Sequence, residues 1–432
     1  MKVVKKVIEK IKKSKIAKNS IWMIIETVFQ MIISLFVNII VARYLGRSNY
    51  GIINYGLSFV NFCSGICTLG LNTITIKYLV KNKEKQGKTL GTCIAMRIIT
   101  SFLSVVFISI LLFILKADDK IIRVVAFLQS ISLIFDSFNT ISLWYQYKLQ
   151  SRTSAIISFI AYIFMAAYKL LLVYFKKSVV WFGASNIVLS FIIALLLYIV
   201  YRKQKNQKLS IDFKWGKVLL GESYHFIISS LMVAIYAQTD KMMIGSMIDD
   251  IGAVGLYSVS ITIMQLWSFL PTAIINSFKP PLLEIYNSNK IKYLIKLKQL
   301  YSIIIWLSIA YTTFIFIFGK YIVLILYGKD YIGCLTSLRL VIFGVAFSFI
   351  GVIREFWLVC EGKQKYSKYF ALFGALFNII FNAILIPKFG INGAAIATVV
   401  TQILTGIFIP AIIPDTRISV KHIWDAFRFK FN

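Results

Sequence analysis

Residues 19–42 read NSIWMIIETVFQMIISLFVNIIVA, and Glu26 is the only charged side chain among them. A run of about 20 apolar residues in a helix matches the hydrocarbon thickness of a bilayer. No water is available there, so every backbone N–H and C=O must be paired within the structure. Only helices and closed barrels achieve that. The run is too long for the core of a signal peptide and lacks a small-x-small cleavage site. It is therefore expected to be a first membrane helix, not a cleaved leader.

The same pattern repeats along the chain, giving about twelve runs in all. The expected spans are 19–42, 51–79, 89–115, 121–146, 153–175, 179–201, 220–247, 252–279, 299–318, 333–358, 364–387 and 393–413. The 432 residues are 59% hydrophobic with a mean hydropathy of +0.78, outside the soluble range. The fold class that follows is an all-α polytopic membrane protein. Short connectors leave no room for a separate soluble domain.

The net charge of +31 first suggests nucleic acid, but its distribution points to membrane topology. The tail carries Lys2, Lys5, Lys6, Lys10, Lys12, Lys13, Lys15 and Lys18, and the even-numbered connectors are also rich in lysine. About 33 cations fall on one side and about 10 on the other, which by the positive-inside rule places both termini in the cytoplasm. No nucleic-acid partner is expected. Val4, Val7, Ile8 and Ile11 recur at helical spacing among the lysines of 1–18. That tail is expected either to lie on anionic lipid or to act as a solvated topology signal. Cys63, Cys67, Cys93, Cys334 and Cys360 form no C-x-x-C pair and read as small packing residues.

The longest basic connector, 202–219, lies at the centre. It divides the chain into a basic tail 1–18, a six-helix bundle 19–201, the linker 202–219, a second six-helix bundle 220–413 and a tail 414–432. Weak internal similarity supports the division. Tyr50-Gly51-Ile52 answers Val254-Gly255-Leu256, Phe182-Gly183-Ala184 answers Asn392-Gly393-Ala394, and Trp144 answers Trp357, all at similar separations. Six spans per half make the repeat parallel, with a central cleft expected between the bundles and a monomer as the working unit.

Ionisable groups within spans are costly and tend to face a protein-lined cavity. Asp136 lies near the middle of span four beside Asn139 and Thr140. Glu26 and Gln30 share a face of span one, with Asn38 two turns on. Arg97, Lys169 and Arg339 lie about two turns inside their spans. These cations suit an anionic ligand, though each is long enough to reach the nearer interface. Asp240-Lys241 is expected to be a local pair that gates the cleft or merely neutralises itself. Arg354-Glu355 reads as a self-neutralised pair, and Asn378 with Asn382 as polar contacts between helices. Pro271 is expected to kink span eight. There is no Walker A loop, no Ser/His/Asp or Cys/His set and no paired-carboxylate site, so neither an enzyme nor a cofactor is expected.

Ala42-Arg43-Tyr44-Leu45-Gly46 and Tyr50-Gly51-Ile52, followed by Thr68-Leu69-Gly70-Leu71 and Ile76-Lys77-Tyr78, resemble bacterial polysaccharide repeat-unit flippases. These are the Wzx-type transporters for O-antigen and capsule, within the multidrug/oligosaccharidyl-lipid/polysaccharide exporter (MOP) superfamily. Asp240-Lys241, Gly255-Leu256-Tyr257-Ser258, Pro280 and Gly390-Ile391-Asn392-Gly393-Ala394-Ala395 continue the resemblance over nearly the whole chain.

The resemblance implies a flippase in the bacterial cytoplasmic membrane. It would move undecaprenyl-diphosphate-linked oligosaccharide repeat units to the outer leaflet by alternating access. It also implies contact with membrane lipid, a polysaccharide polymerase and glycosyltransferases. On this reading Arg97, Lys169, Arg339 and Lys77 hold headgroup charge, Gln30 and Asn38 line the path, and Asp136 and Glu26 couple transport to H+ or Na+. Two alternatives stand beside it. One is an ion-coupled multidrug or small-metabolite exporter of the same superfamily. The other is a membrane-embedded glycosyltransferase or polymerase.

Overall fold

The computed structural model describes residues 15–204 and 206–431. Val4, Val7, Ile8 and Ile11, and with them the expected surface helix, lie outside the described residues. In chain order the helices are α1 (Lys15–Cys67), α2 (Leu71–Lys81), α3 (Gln86–Leu115), α4 (Lys120–Asp136), α5 (Thr140–Tyr147), α6 (Ser151–Tyr174), α7 (Val179–Gly183), α8 (Ser185–Lys203) and α9 (Phe213–Met247). They continue as α10 (Gly252–Leu266), α11 (Phe269–Ser288), α12 (Lys290–Leu326), α13 (Leu335–Val341), α14 (Gly344–Cys360), α15 (Ser367–Phe389), α16 (Ile391–Ile403), α17 (Ile409–Ile412) and α18 (Arg417–Phe427).

Among the described residues, ten helical stretches are long and apolar enough to cross a membrane. The stretch Lys329–Val341, which ends in α13, together with α14, bent by 47°, makes an eleventh. The first stretch, Lys18–Lys81, contains a break at Gly46, whose φ of 70° and ψ of 171° suit a residue without a Cβ. Parted there, it supplies the first two of the twelve expected crossings. Span eight is also interrupted. Trp267 and Ser268 separate α10 from α11, and Pro271 sits in the first turn of α11, where its missing N–H costs nothing.

The packing is that of a lipid-facing protein. On α3, Phe102, Leu103, Phe107, Ile110, Phe113 and Ile114 are exposed, while Thr92, Arg97, Ser101 and Ser104 are buried. Small and polar residues inside let helices approach and bond to one another where apolar attraction between them is weak. Ser101 Oγ, for instance, donates to Leu133 O at 2.9 Å.

The chain forms two compact units. One comprises residues up to Leu45 with Tyr55–Ala234, and the other Gly46–Asn54 with Ile235–Asn432. In the first, Trp144 packs edge-on against Tyr145 and Tyr201 in a core with Leu79, Leu90 and Leu197. Residues 206–212 run along the start of α3. Gln207 Oε1 accepts from Gly87 N–H at 2.9 Å, and Lys88 pairs with Asp212. That ammonium, with a backbone N–H from Trp215, holds the Asp212 carboxyl below its usual range.

In the second unit the helix after Gly46 crosses α10 at backbone contact. A Cβ on Gly51 would lie 2.2 Å from Ile251 O, and one on Gly255 would lie 2.2 Å from Arg47 O. Two glycines are needed for so close a crossing. Arg47 and Asp250 pair beside it at 3.2 Å. A second core gathers Tyr293, Leu297, Tyr301, Ile353 and Trp357.

Candidate functional site

The fourth span of the first unit is not a continuous helix. α4 ends at Asp136, Ser137–Asn139 form one tight 3₁₀ turn, and α5 begins at Thr140. The interruption brings Asp136 and Asn139 to the wall of a cavity of about 410 Å³. Glu26 and Gln30 from α1, Asn61 and Ser64 further along it, Ser158 and Tyr162 from α6, and Asn186 and Ser190 from α8 complete the polar wall. Glu26 accepts from Ser158 Oγ at 2.6 Å and from Gln30 Nε2 at 3.2 Å. Asp136 is hydrogen-bonded by Ser190.

Among the described residues, no lysine or arginine lines this cavity. Its hydroxyls and amides can satisfy a polyhydroxylated guest. Its two acids can hold a proton or a small cation, a role to which intramembrane carboxylates are suited. The sequence singled out Glu26, Gln30 and Asp136, and the structure brings these three to one wall. Asn61, Tyr162, Asn186 and Ser190 were missed. Single polar residues in otherwise apolar runs carry no signal until the helices are assembled.

The expected headgroup cations do not converge on this cavity. Arg97 is buried and donates to Thr140 Oγ1 at 3.0 Å, Asn72 Oδ1 at 2.6 Å and Thr68 O at 3.3 Å. Its Nε is buried and unpartnered. Lys169 donates to Asn38 Oδ1 at 3.2 Å, which brings together two residues that the sequence had singled out separately. Lys77 pairs with Glu222 at 2.6 Å, and Tyr78 Oη donates to the same carboxylate at 2.6 Å. Arg339, in the second unit, lies over the Phe316 ring with its guanidinium 4.9 Å from the centroid.

Asp240 is enclosed in the second unit. It accepts from Asn382 at 2.7 Å, Asn378 at 3.0 Å, Tyr257 at 2.5 Å and Thr398 at 2.5 Å, and it is 8% exposed. Its hydrogen-bond partners are neutral groups from α10, α15 and α16. Arg354 donates to Thr405 O at 2.5 Å and lies over Phe370, while Glu355 accepts from Ser367.

The model of a protein family described as "Polysaccharide biosynthesis protein" matches residues 16–283. An uncharacterized membrane protein of Methanocaldococcus jannaschii is 31% identical over 149 residues; the match spans 34% of this chain and only 29% of that protein. The fold is similar to that of the lipid II flippase MurJ in an inward closed conformation. The TM-score is 0.70 and the identity 19%, over 94% of this chain and 91% of that one. It is similar also to an inward-facing multidrug resistance MATE transporter of the MOP superfamily, with a TM-score of 0.68 and 14% identity over 92% and 96%. A third likeness is to a MOP superfamily transporter from Pyrococcus furiosus whose binding pocket is of reverse polarity. There the TM-score is 0.61 and the identity 14%, over 95% and 96%. With the family model covering more than half of its residues, the chain belongs to the polysaccharide biosynthesis protein family.

Proposed function

We propose that this protein is a flippase that carries undecaprenyl-diphosphate-linked oligosaccharide repeat units across a bacterial cytoplasmic membrane by alternating access, for surface polysaccharide assembly. The observation that carries the reading is the cavity of the first unit, placed among membrane-spanning helices and walled by hydroxyls, amides and two carboxylates. A glycan must exchange its bonds to water for bonds to protein when it crosses, and such a wall supplies them. Family membership and the MOP-type fold agree with this reading. Arg97, with an unpartnered buried Nε, and Lys169 beside Asn38 are the groups of this unit proposed to meet diphosphate charge. Lys77, paired with Glu222, and Arg339, over the Phe316 ring, are proposed for the same role. Glu26 and Asp136 are the proposed coupling acids for H+ or Na+, and Asp240 with Lys241 a proposed gate.

One observation favours a second reading. Among the described residues the cavity's charged groups are the carboxylates Glu26 and Asp136, which also suits an organic cation. An ion-coupled exporter of the same superfamily would use the site in that way. Deletion of the gene separates the two. Loss of surface polymer, with complete repeat units retained on their lipid carrier at the cytoplasmic face, is the expected result. Normal surface glycan with new sensitivity to cationic drugs would assign the exporter, and truncated repeat units would assign a transferase.

A further inference from the structure

A second cavity, of about 670 Å³, opens between the first turns of α12 and the C-terminal helix α18. Its charged wall consists of Lys298, Lys421, Lys430, Asp425 and His422. Asp425 is already used, paired with the buried Lys298 at 2.9 Å. Lys421 and Lys430 are exposed at the rim, so the wall presents more positive charge than its one acid offsets. The His422 ring is 6% exposed, and its Nδ1 is buried with no hydrogen-bond partner. A buried polar atom left unpaired is costly, and an incoming acceptor would relieve it.

The rest of the wall is apolar, with Ile291, Leu294, Ile295, Ile418 and Phe429. Ile291 is 75% exposed and Phe429 58%. Trp306 stacks on Phe427 and Phe429, at 5.8 and 5.5 Å between ring centroids, and so fastens α18 and the residues after it to a spanning helix. Large exposed apolar groups beside lysines, around a short amphipathic helix that follows a membrane span, belong at a bilayer interface.

We propose that this cavity binds an anionic phospholipid. Its phosphodiester would sit against Lys421 and Lys430 and accept from His422 in the Nδ1–H tautomer. One acyl chain would lie along Ile291, Leu294 and Phe429. The bound lipid anchors α18 to the membrane, and the site is independent of what the protein transports.

The test is native mass spectrometry of the full-length protein in detergent, titrated with phosphatidylglycerol and, separately, with phosphatidylcholine. The wild type is expected to retain phosphatidylglycerol in preference. In the double variant K421Q/K430Q, phosphatidylglycerol retention is expected to fall about thirtyfold, with phosphatidylcholine adducts and monodispersity unchanged. Equal retention of the two lipids, or a double variant that binds phosphatidylglycerol as the wild type does, would overturn the proposal. Displacement of phosphatidylglycerol by millimolar inorganic phosphate would also overturn it, by assigning the lysines to a free anion.

Discussion

Glu26 on α1 and Asp136 at the end of α4 line the same cavity, each hydrogen-bonded by a serine from another helix. Ser158 of α6 serves Glu26, and Ser190 of α8 serves Asp136. Two carboxylates with neutral donors and no neighbouring lysine or arginine in the wall form a place where a proton or small cation can be taken up and released. The polar groups around them offer bonds to a hydrated guest, and in the function proposed above guest and ion would share one set of ligands. Shared ligands are a physical basis for coupling.

Asp136→Asn keeps the shape and the hydrogen bond to Ser190 but removes the charge. Transport is expected to fall about tenfold or more, within the usual range of a coupling free energy, while membrane abundance stays normal. Surface glycan measured against immunoblotted membrane protein checks this. Unchanged glycan export would remove Asp136 from the mechanism.

Asp240→Ala should act on stability. It deprives Asn378, Asn382, Tyr257 and Thr398 of their shared acceptor, and a cluster of buried donors without an acceptor costs about 3 kcal/mol. A clear drop in the unfolding temperature of the detergent-solubilised protein is expected, with Asp240→Asn milder because it retains one acceptor oxygen. If Asp240→Ala unfolds at the wild-type temperature, the network contributes nothing to the fold.

Gly51→Ala and Gly255→Ala each place a methyl group 2.2 Å from a carbonyl oxygen of the crossing helix. Backbone cannot rotate away as a side chain does, so each is expected to cost about 1–3 kcal/mol or to force the helices apart. Gly221→Ala, which meets nothing within 4 Å, is the control and should be neutral. Folded yield by size-exclusion chromatography reads the difference.

The histidine of α18 gives a pH dependence. Burial, with the charges of Lys298 on α12 and of Lys421, lowers the His422 pKa to about 4, against a partial opposing pull from Asp425. The folded ring is therefore neutral when the unfolded chain begins to take up a proton near the ordinary histidine value of about 6.5. Stability falls as the pH drops from there and levels off near the folded value. His422→Gln should flatten the fall in unfolding temperature between pH 7 and pH 5. The same slope in wild type and variant would contradict this.

The number and order of the spans were legible because span length is set by bilayer thickness, a property outside the protein. The stretch 19–42 already contains that information. The break at Gly46 was legible as a boundary between two runs, but the close crossing of Gly51 and Gly255 was not, since it depends on which helices meet. The site was half legible. Glu26 and Asp136 stood out as charges in apolar runs, whereas their shared cavity depends on the turn at Ser137–Asn139 and on serines that any helix could carry. Asp240 and Arg354 show the general limit. Each has a charged neighbour next in sequence, yet its hydrogen bonds go to residues elsewhere in the chain that the local sequence does not name.

The central claim is tested most directly in proteoliposomes containing the purified protein and an undecaprenyl-diphosphate-linked oligosaccharide, with a proton or sodium gradient imposed. An impermeant glycosidase reports how much glycan reaches the outer leaflet. The accessible fraction is expected to rise above that of protein-free vesicles with the wild type and to stay near their level with Asp136→Asn. An accessible fraction equal to that of protein-free vesicles under either gradient would contradict the account.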